Sequence, residues 1–134
     1  MAAEIGINLK IRVTEFATSL KAAEAGEYQA YLLDWSGRSD PDGNLYSFYK
    51  CKAPLNYTGL CDADVDKLLD QSRIPSDREQ RKAIYEKLTR LLVVDDETII
   101  YLYHRRMLIA HTARLQGYRQ LPDGMVRVVG LTLK

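Results

Sequence analysis

The 134-residue sequence predicts an α/β domain in which a mixed sheet is flanked by helices. Three features predict it: a strand-like alternation at residues 7–13, a helical stripe at residues 14–26 and a mostly apolar run at residues 28–35. Strand, helix and strand at this spacing form a βαβ unit, so the two strands are expected to be parallel with a right-handed crossover. The loop that follows would leave the carboxyl end of a parallel strand, which is where open α/β sheets bind ligands.

The elements of this βαβ unit have individual signals. Thr14 is the expected N-cap of the helix, and Gly26 can end it in the left-handed conformation. The second strand runs from Tyr28 to Trp35 and is more uniformly apolar than the first. The apolar residues of the first strand and of the helix follow the two expected periods: Ile7, Leu9, Ile11 and Val13 for the strand, and Phe16, Leu20 and Ala23 for the helix.

Two further helices are expected in the middle of the chain. Either Asp62 or Asp64 can cap the first, which should run to about Ile74. Ser76 and Glu79 have the spacing of a capping box at the start of the second. That helix should end near Val94, because the three acidic residues that follow would be repelled by the negative end of the helix dipole. Their expected inward residues are Val65, Leu68 and Leu69 in the first helix and Ile84, Tyr85, Leu88, Leu91 and Leu92 in the second.

The last third of the chain predicts strands. Residues 98–112 form an expected long strand that is apolar on both faces at first, as in a central strand. Residues 115–134 contain turn signals at Gly117, at residues 122–124 and at Gly130, between short strand-like pieces.

Composition points away from nucleic-acid and membrane partners. The chain has 19 Lys and Arg residues against 18 Asp and Glu, so no basic surplus attracts nucleic acid or acidic lipid. No apolar run approaches the roughly 18 residues of a membrane span. The first 13 residues have neither the basic segment nor the apolar core of a signal peptide, so we expect none.

Catalytic and metal-binding motifs are missing from the sequence. His104 and His111 are seven residues apart on a predicted strand, so they would face opposite sides and could not share a metal ion. Asp40 and Asp42 could act as paired carboxylates, but the D-P-D-G sequence is also a common turn. The loop lacks the glycine spacing and the lysine of a phosphate-binding loop. We therefore expect no enzyme activity, no metal and no cofactor.

The loop after the chain's only tryptophan is the best candidate for a ligand site. Trp35 either packs in the core or forms a pocket wall, and its place at a strand's carboxyl end favours the pocket. Arg38 is either a solvated surface charge or a ligand contact. Asp40 follows closely, and Tyr46 adds aromatic area that packs or lines the site. These four are the candidate ligand-binding residues.

Two long stretches carry a family resemblance. Residues 31–73, "YLLDWSGRSDPDGNLYSFYKCKAPLNYTGLCDADVDKLLDQSR", and residues 77–118 resemble the C-terminal part of the extracellular solute-binding proteins of family 5. The most specific features are the W-x-x-x-x-D-P-D loop that begins at Trp35 and the N-Y-T-G-L-C-D-A-D-V-D sequence that begins at Asn56. These proteins are the peptide- and nickel-binding receptors of ABC importers.

The resemblance implies the C-terminal lobe of a two-lobed periplasmic receptor that closes on its ligand and works with a membrane permease. Residues 1–114 would form the ligand-binding lobe, and residues 115–134 would return toward the other lobe. The chain matches only about the last quarter of such receptors, so we expect a fragment. The intact receptor would be periplasmic, whereas this chain, for which we expect no signal peptide, could stay in the cytoplasm.

Arg38 departs from the family pattern. In peptide-binding members the third residue after this tryptophan is usually an aspartate that pairs with the free amine of the ligand. A guanidinium would repel an amine and grip a carboxylate with two parallel hydrogen bonds. An anionic ligand, such as glutathione or another carboxylate-rich solute, is therefore expected, although Asp40 could still meet an amine.

The resemblance also implies a disulfide between Cys51 and Cys61, since some family members carry a cysteine pair at this place. The alternative is two free thiols in a reducing compartment.

The fragment should also expose apolar strand edges, which are templates for association. We expect a homodimer through residues 99–110 or the C-terminal tail, and a monomer is the alternative.

Overall fold

The computed structural model describes residues 2–74, 77–95 and 98–134, and it divides into two compact units, residues 2–32 and residues 33–134. The first unit contains a short 3₁₀ turn, Ala2–Ile5, and helix α1, Phe16–Glu24. The second contains α2 (Asp42–Tyr49), α3 (Ala63–Gln71) and α4 (Arg78–Arg90), which continues as a π-helical turn, Leu91–Asp95. Strands β1 (Leu115–Gln116) and β2 (Thr132–Leu133) follow.

Helix α1 begins one residue later than the sequence predicts. Glu15, not Thr14, is the N-cap, because its carboxylate accepts hydrogen bonds from the backbone N–H groups of Ala17 (3.0 Å) and Thr18 (3.1 Å). These bonds, that from Ala17 first, lower the pKa of Glu15. The predicted end is confirmed: Gly26 has a φ of +71°, and Glu27 N–H bonds Ala22 O across it in a Schellman arrangement.

The predicted βαβ unit is wrong for this structure. Neither residues 7–13 nor residues 28–35 form a strand, and Ile7, Leu9, Ile11 and Val13 are all exposed. Residues 98–112, the predicted long central strand, have no regular secondary structure either. The physical reason is common to all three segments, since a strand satisfies its backbone only through a neighbouring strand, and no described segment pairs with them.

The sheet that the structure does contain is a small antiparallel pair and not a mixed sheet. Leu115 pairs with Leu133, and Gln116 pairs with Thr132. Gly117 follows directly with a φ of +80°, and a Cβ on it would lie 2.3 Å from Gly130 O. The close approach of the two turns therefore requires glycine at this position. The predicted turns at Gly117, residues 122–124 and Gly130 are confirmed, because Gly124 and Gly130 also have positive φ values.

The core of the second unit lies between α2, α3 and α4. Its buried members are Tyr49, Val65, Leu69, Leu88 and Leu92, and Leu68, Ile84, Tyr85 and Leu91 pack against them half-buried. The predicted inward faces of α3 and α4 are thus confirmed.

The ends of α3 and α4 differ in part from the expected ones. Asp62 caps α3, with its Oδ1 accepting from the N–H groups of residues 64 and 65, both at 2.8 Å, which resolves the choice between Asp62 and Asp64. The helix ends at Gln71, three residues earlier than predicted. Asp77 caps α4 by accepting from Gln80 N–H at 2.8 Å. The predicted cap at Ser76 lies outside the described residues.

Candidate functional site

The loop between residues 35 and 41, called the Trp35 loop below, places an arginine on an aromatic ring. The Cζ atom of Arg38 lies 4.8 Å from the centroid of the Trp35 ring, within the range of a cation–π contact. The ring is 41% exposed. It packs edge-on against Phe48 of α2, with centroids 4.8 Å apart and the planes at 79°. Trp35 is therefore neither buried in the core nor free in solvent, because one part of the ring is anchored and another part is open.

Among the described residues, the guanidinium of Arg38 donates hydrogen bonds only to its own loop. Its Nη1 donates to Ser36 Oγ at 2.9 Å and to Gly37 O at 3.0 Å. Among the residues that the structure describes, Arg38 pairs with no carboxylate, and its side chain is exposed. Its remaining N–H groups can therefore meet a carboxylate supplied from outside.

Two residues of α2 hold Arg38 in place. The side-chain amide of Asn44 bonds both backbone groups of Arg38: Oδ1 accepts from its N–H at 2.6 Å, and Nδ2 donates to its carbonyl at 2.7 Å. The same Nδ2 also donates to Asp40 O at 3.2 Å. Gly43 faces the stem of Arg38, since a Cβ on Gly43 would lie 3.0 Å from its Cβ and its Cγ. The start of α2 thus serves as a seat for Arg38.

Asp40 is occupied by an arginine of α4. Both of its carboxylate oxygens accept from Arg81, at 3.1 Å from Nη1 and 3.0 Å from Nη2. Arg81 also donates from Nε to Ser72 O at 3.0 Å, so it ties the loop to the end of α3 as well. The hydrogen bonds from Arg81, followed by that from Asp42 N–H, hold the pKa of Asp40 below its ordinary value. A ligand amine would have to compete with this pair for Asp40.

Asp42 and Tyr46 belong to a second cluster. Asp42 accepts two bonds from Arg73, at 2.7 Å from Nε and 2.9 Å from Nη2. The Arg73 guanidinium lies over the Tyr46 ring at 3.2 Å. The Tyr46 hydroxyl donates to Asp70 Oδ1 at 3.1 Å, and Lys50 donates to Asp70 Oδ2 at 2.7 Å. The bond from Lys50 is the main cause of the lowered pKa of Asp70. Tyr46 therefore contacts Asp70 of α3 and Arg73, which lies just after the end of α3.

Asp40 and Asp42 are each paired with an arginine. Asp40 accepts two hydrogen bonds from Arg81, and Asp42 accepts two from Arg73. Both carboxylates therefore have ion-pair partners within the chain.

The structure joins Cys51 and Cys61 in a disulfide, with Cα atoms 4.5 Å apart. The enclosed loop is closed a second time by Asn56, whose Nδ2 donates to Lys50 O at 3.0 Å and to Leu60 O at 2.7 Å. Asp66 of α3 accepts from Cys51 N–H at 2.8 Å. The loop is therefore fixed between α2 and α3.

The described residues provide neither a metal-binding cluster nor a membrane-spanning helix. Within residues 2–74, 77–95 and 98–134, no three His, Cys, Asp or Glu side chains come together in a way that could hold a metal ion. In the same residues no helix is long and apolar enough to cross a membrane. A shallow depression of about 450 Å³ lies between α3 and α4, away from the Trp35 loop. It is lined by Asp64, Lys67, Leu68, Gln71, Lys87, Arg90, Leu91 and Asp95.

Of the four candidate residues, the structure brings Trp35 and Arg38 into contact, whereas Asp40 and Tyr46 are each held by other partners. Asn44, Arg73 and Arg81 were not among the predicted site residues. The role of Asn44 could have been predicted from the sequence, because an Asn four residues after the first Asp of a D-P-D turn can bond back to the loop. The contact of Arg81 could not, since 41 residues separate it from Asp40.

Several curated bacterial proteins are similar to this chain, although no family model matches it. The probable di/tripeptide-binding protein 5 of Pseudomonas aeruginosa (strain UCBPP-PA14) is 31% identical over 126 residues, which are 91% of this chain and 24% of that protein. The di/tripeptide-binding protein 1 of the same strain is 37% identical over 93 residues, 67% of this chain and 17% of that protein. The dipeptide-binding protein of Escherichia coli K12 is 26% identical over 126 residues, 91% and 23% respectively.

The chain spans less than a quarter of the length of each of these three relatives. The similarity nevertheless covers up to 91% of the chain, and it includes relatives named for dipeptides and for di/tripeptides. The chain belongs to the extracellular solute-binding proteins of family 5.

Proposed function

We propose that this chain is the ligand-contacting lobe of an ABC-importer receptor for peptides or peptide-like solutes, with the Trp35 loop at its ligand-facing edge. The relatives named as peptide-binding proteins support the peptide class. In this proposal residues 1–114 form the lobe, residues 115–134 return toward the other lobe, and the receptor works in the periplasm with a membrane permease. In this proposal the protein binds and releases its ligand without chemistry, and Asp40 and Asp42 are each taken up in an ion pair with an arginine.

The exposed cation of Arg38 carries the finer proposal that the ligand is recognised through a carboxylate. Of the arginines near the Trp35 loop, Arg73, Arg81 and Arg105 have aspartate partners. Arg38 instead lies against Trp35 with donors open to solvent. An acidic peptide or a carboxylate-rich solute such as glutathione would satisfy it, and a ligand amine would be repelled.

Charge reversal at Arg38 tests this proposal. Isothermal titration of Arg38→Asp with a dipeptide in three forms (free, N-acetylated and C-amidated) should show weaker binding of the N-acetylated form and stronger binding of the C-amidated form. The matched control is Arg119→Asp, which makes the same charge change at another exposed arginine and should leave all three affinities unchanged. Equal affinities of Arg38→Asp and wild-type protein for all three forms would remove Arg38 from the site.

A second candidate function, a self-associating interaction domain, is favoured by one observation. The irregular segment of residues 98–112 exposes a run of large apolar side chains, of which Leu108 is 95% exposed: Ile100, Tyr101, Leu102, Tyr103, Met107, Leu108 and Ile109. An unpaired apolar segment of this kind is a template for strand exchange between two copies. Light scattering over a dilution series should show a homodimer, and a monomer at tens of micromolar with a protease-resistant segment would contradict this candidate.

A further inference from the structure

The seat of Arg38 on α2 has a consequence for selectivity that goes beyond the presence of the arginine. Arginine side chains have many rotamers, and an exposed one loses affinity for a ligand when its conformation must be fixed on binding. Here the Asn44 side chain makes three hydrogen bonds to the loop backbone, two to Arg38 and one to Asp40 O. The Arg38 side chain, in turn, lies between the Trp35 ring and the space left by Gly43.

We propose that Asn44 is a positioning residue for carboxylate recognition, which acts by holding Arg38 over Trp35, and that Gly43 is required for the same placement. The inference rests on the proposed function for its ligand, but the placement itself does not require a ligand. Among the described residues, the Asn44 side chain bonds only backbone groups of the loop. Asn44 therefore affects ligand selection through Arg38 and does not itself contact the ligand. Selectivity would then depend on a residue that carries no charge.

The geometry distinguishes this role from ordinary helix capping. Asn44 is the third residue of α2, and the N-cap residue Pro41 makes no side-chain cap bond. The amide of Asn44 points back to the loop and pairs with both backbone groups of one residue, as a neighbouring strand would. An Asn that only stabilised the helix would accept hydrogen bonds from N–H groups of the helix. The Oδ1 atom of Asn44 instead accepts from the N–H of Arg38 in the loop.

Asn56 provides a matched control within the same unit. Its Nδ2 also donates to two backbone carbonyls, those of Lys50 and Leu60, and it also closes a loop. It lies at the disulfide and makes no described contact with Trp35 or Arg38. Asn44→Ala and Asn56→Ala should therefore both lower stability, and only Asn44→Ala should disturb the arginine on the tryptophan.

Trp35 supplies the readout, because it is the chain's only tryptophan. In ligand-free protein, Asn44→Ala should shift the Trp35 emission to the red and raise its quenching by acrylamide, and Asn56→Ala should leave both at wild-type values. Titration with N-acetyl-alanyl-alanine, which has a carboxylate and no amine, should show about a tenfold weaker affinity for Asn44→Ala, the size expected for the loss of these bonds.

Gly43→Ala separates positioning from folding. Alanine is a better helix former than glycine, so the helix gains stability. The new Cβ would nevertheless lie 3.0 Å from the Cβ and Cγ atoms of Arg38, so Arg38 must move. The Trp35 emission should therefore change and the affinity for N-acetyl-alanyl-alanine should fall a few-fold, and urea unfolding of the same variant measures the accompanying change in stability.

Wild-type emission, quenching and affinity in Asn44→Ala would overturn the proposal, and so would equal changes in Asn56→Ala. If the wild-type protein binds none of the peptides, the proposed function fails, while the emission of the ligand-free variants still decides whether Asn44 and Gly43 position Arg38.

Discussion

Two regions of the second unit are rich in apolar side chains, but only one of them buries these side chains. The helical cluster, α2 to α4 with the turn that follows, buries Tyr49, Leu69, Leu88 and Leu92 almost completely. The irregular segment of residues 98–112 exposes most of its apolar side chains, with Ile100 at 77% and Leu108 at 95%. The difference lies in the backbone, because a helix satisfies its own N–H and C=O groups and a strand depends on a neighbour.

The helical cluster is self-sufficient, and the irregular segment is not. The cluster is closed by local caps, by a disulfide and by the Arg81–Asp40 pair, which joins α4 to the Trp35 loop. The irregular segment makes few described contacts with the cluster: the Tyr101 hydroxyl lies 2.7 Å from that of Tyr49, and Ile99 packs on the core. The segment therefore has the composition of a sheet strand without the sheet.

Matched leucine truncations should show the largest difference in stability between the two regions. Leu69→Ala removes a fully buried side chain and should lower the free energy of unfolding by about 2–5 kcal/mol. Leu102→Ala removes the same atoms from a side chain that is 65% exposed and should change it by no more than about 0.5 kcal/mol. Urea unfolding followed by circular dichroism measures both, and comparable losses would mean that the irregular segment is buried in solution.

The disulfide should contribute next. It encloses a loop of about ten residues, so replacing Cys51 and Cys61 together by serine should lower the free energy of unfolding by roughly 2–3 kcal/mol in the chain-entropy model. Mass spectrometry without reductant, on protein purified from an oxidising compartment, checks the bond itself. Two thiols that still react with an alkylating agent there would count against it.

The link between the two regions should have a smaller effect. Tyr101→Phe removes the hydroxyl that faces Tyr49, whose pKa is raised by burial and by this bond. The buried Tyr49 hydroxyl would lose a partner, so we expect a loss of about 1 kcal/mol. Tyr103→Phe is the control, because Tyr103 is 73% exposed, and it should leave the free energy of unfolding unchanged. Equal effects would show that the Tyr49 contact does not join the segment to the cluster.

The sequence predicted α3 and α4 well and the strands poorly, for the same physical reason, and it did not predict α2. The stripes that bury Val65, Leu69 and Leu88 follow a local period, so neighbours in sequence decide them. The alternation at residues 7–13 carries equally clear information, but its outcome depends on a strand that residues 7–13 do not contain. The site divides in the same way: Trp35 and Arg38 are three residues apart and were identified, whereas Arg81 reaches Asp40 across 41 residues.

The smallest expected effect is the acid dependence of the Asp40–Arg81 pair. The pKa of Asp40 is lower in the folded chain than its ordinary value of 3.8, so the pair's contribution is complete above that value and is lost as the pH falls through the folded pKa. Arg81→Met should lower stability near neutral pH. It should also reduce the further loss of stability as the pH falls, which is the acid limb of the stability profile. Lys82→Met, which breaks the exposed pair with Glu86, should give a profile parallel to the wild type. Indistinguishable acid limbs in wild type and Arg81→Met would contradict the account of Asp40.

The central claim is that the Trp35 loop recognises a peptide through its carboxylate. Fluorescence titration of Trp35 with alanyl-alanine, with its N-acetylated form and with its C-amidated form tests the claim directly, because the only tryptophan lies against Arg38. We predict a saturable change with the two forms that carry a free carboxylate, with the N-acetylated form the tighter of the two, and no change with the amide. Binding of the amide as tight as that of the N-acetylated peptide, or no change with any form, would contradict the claim.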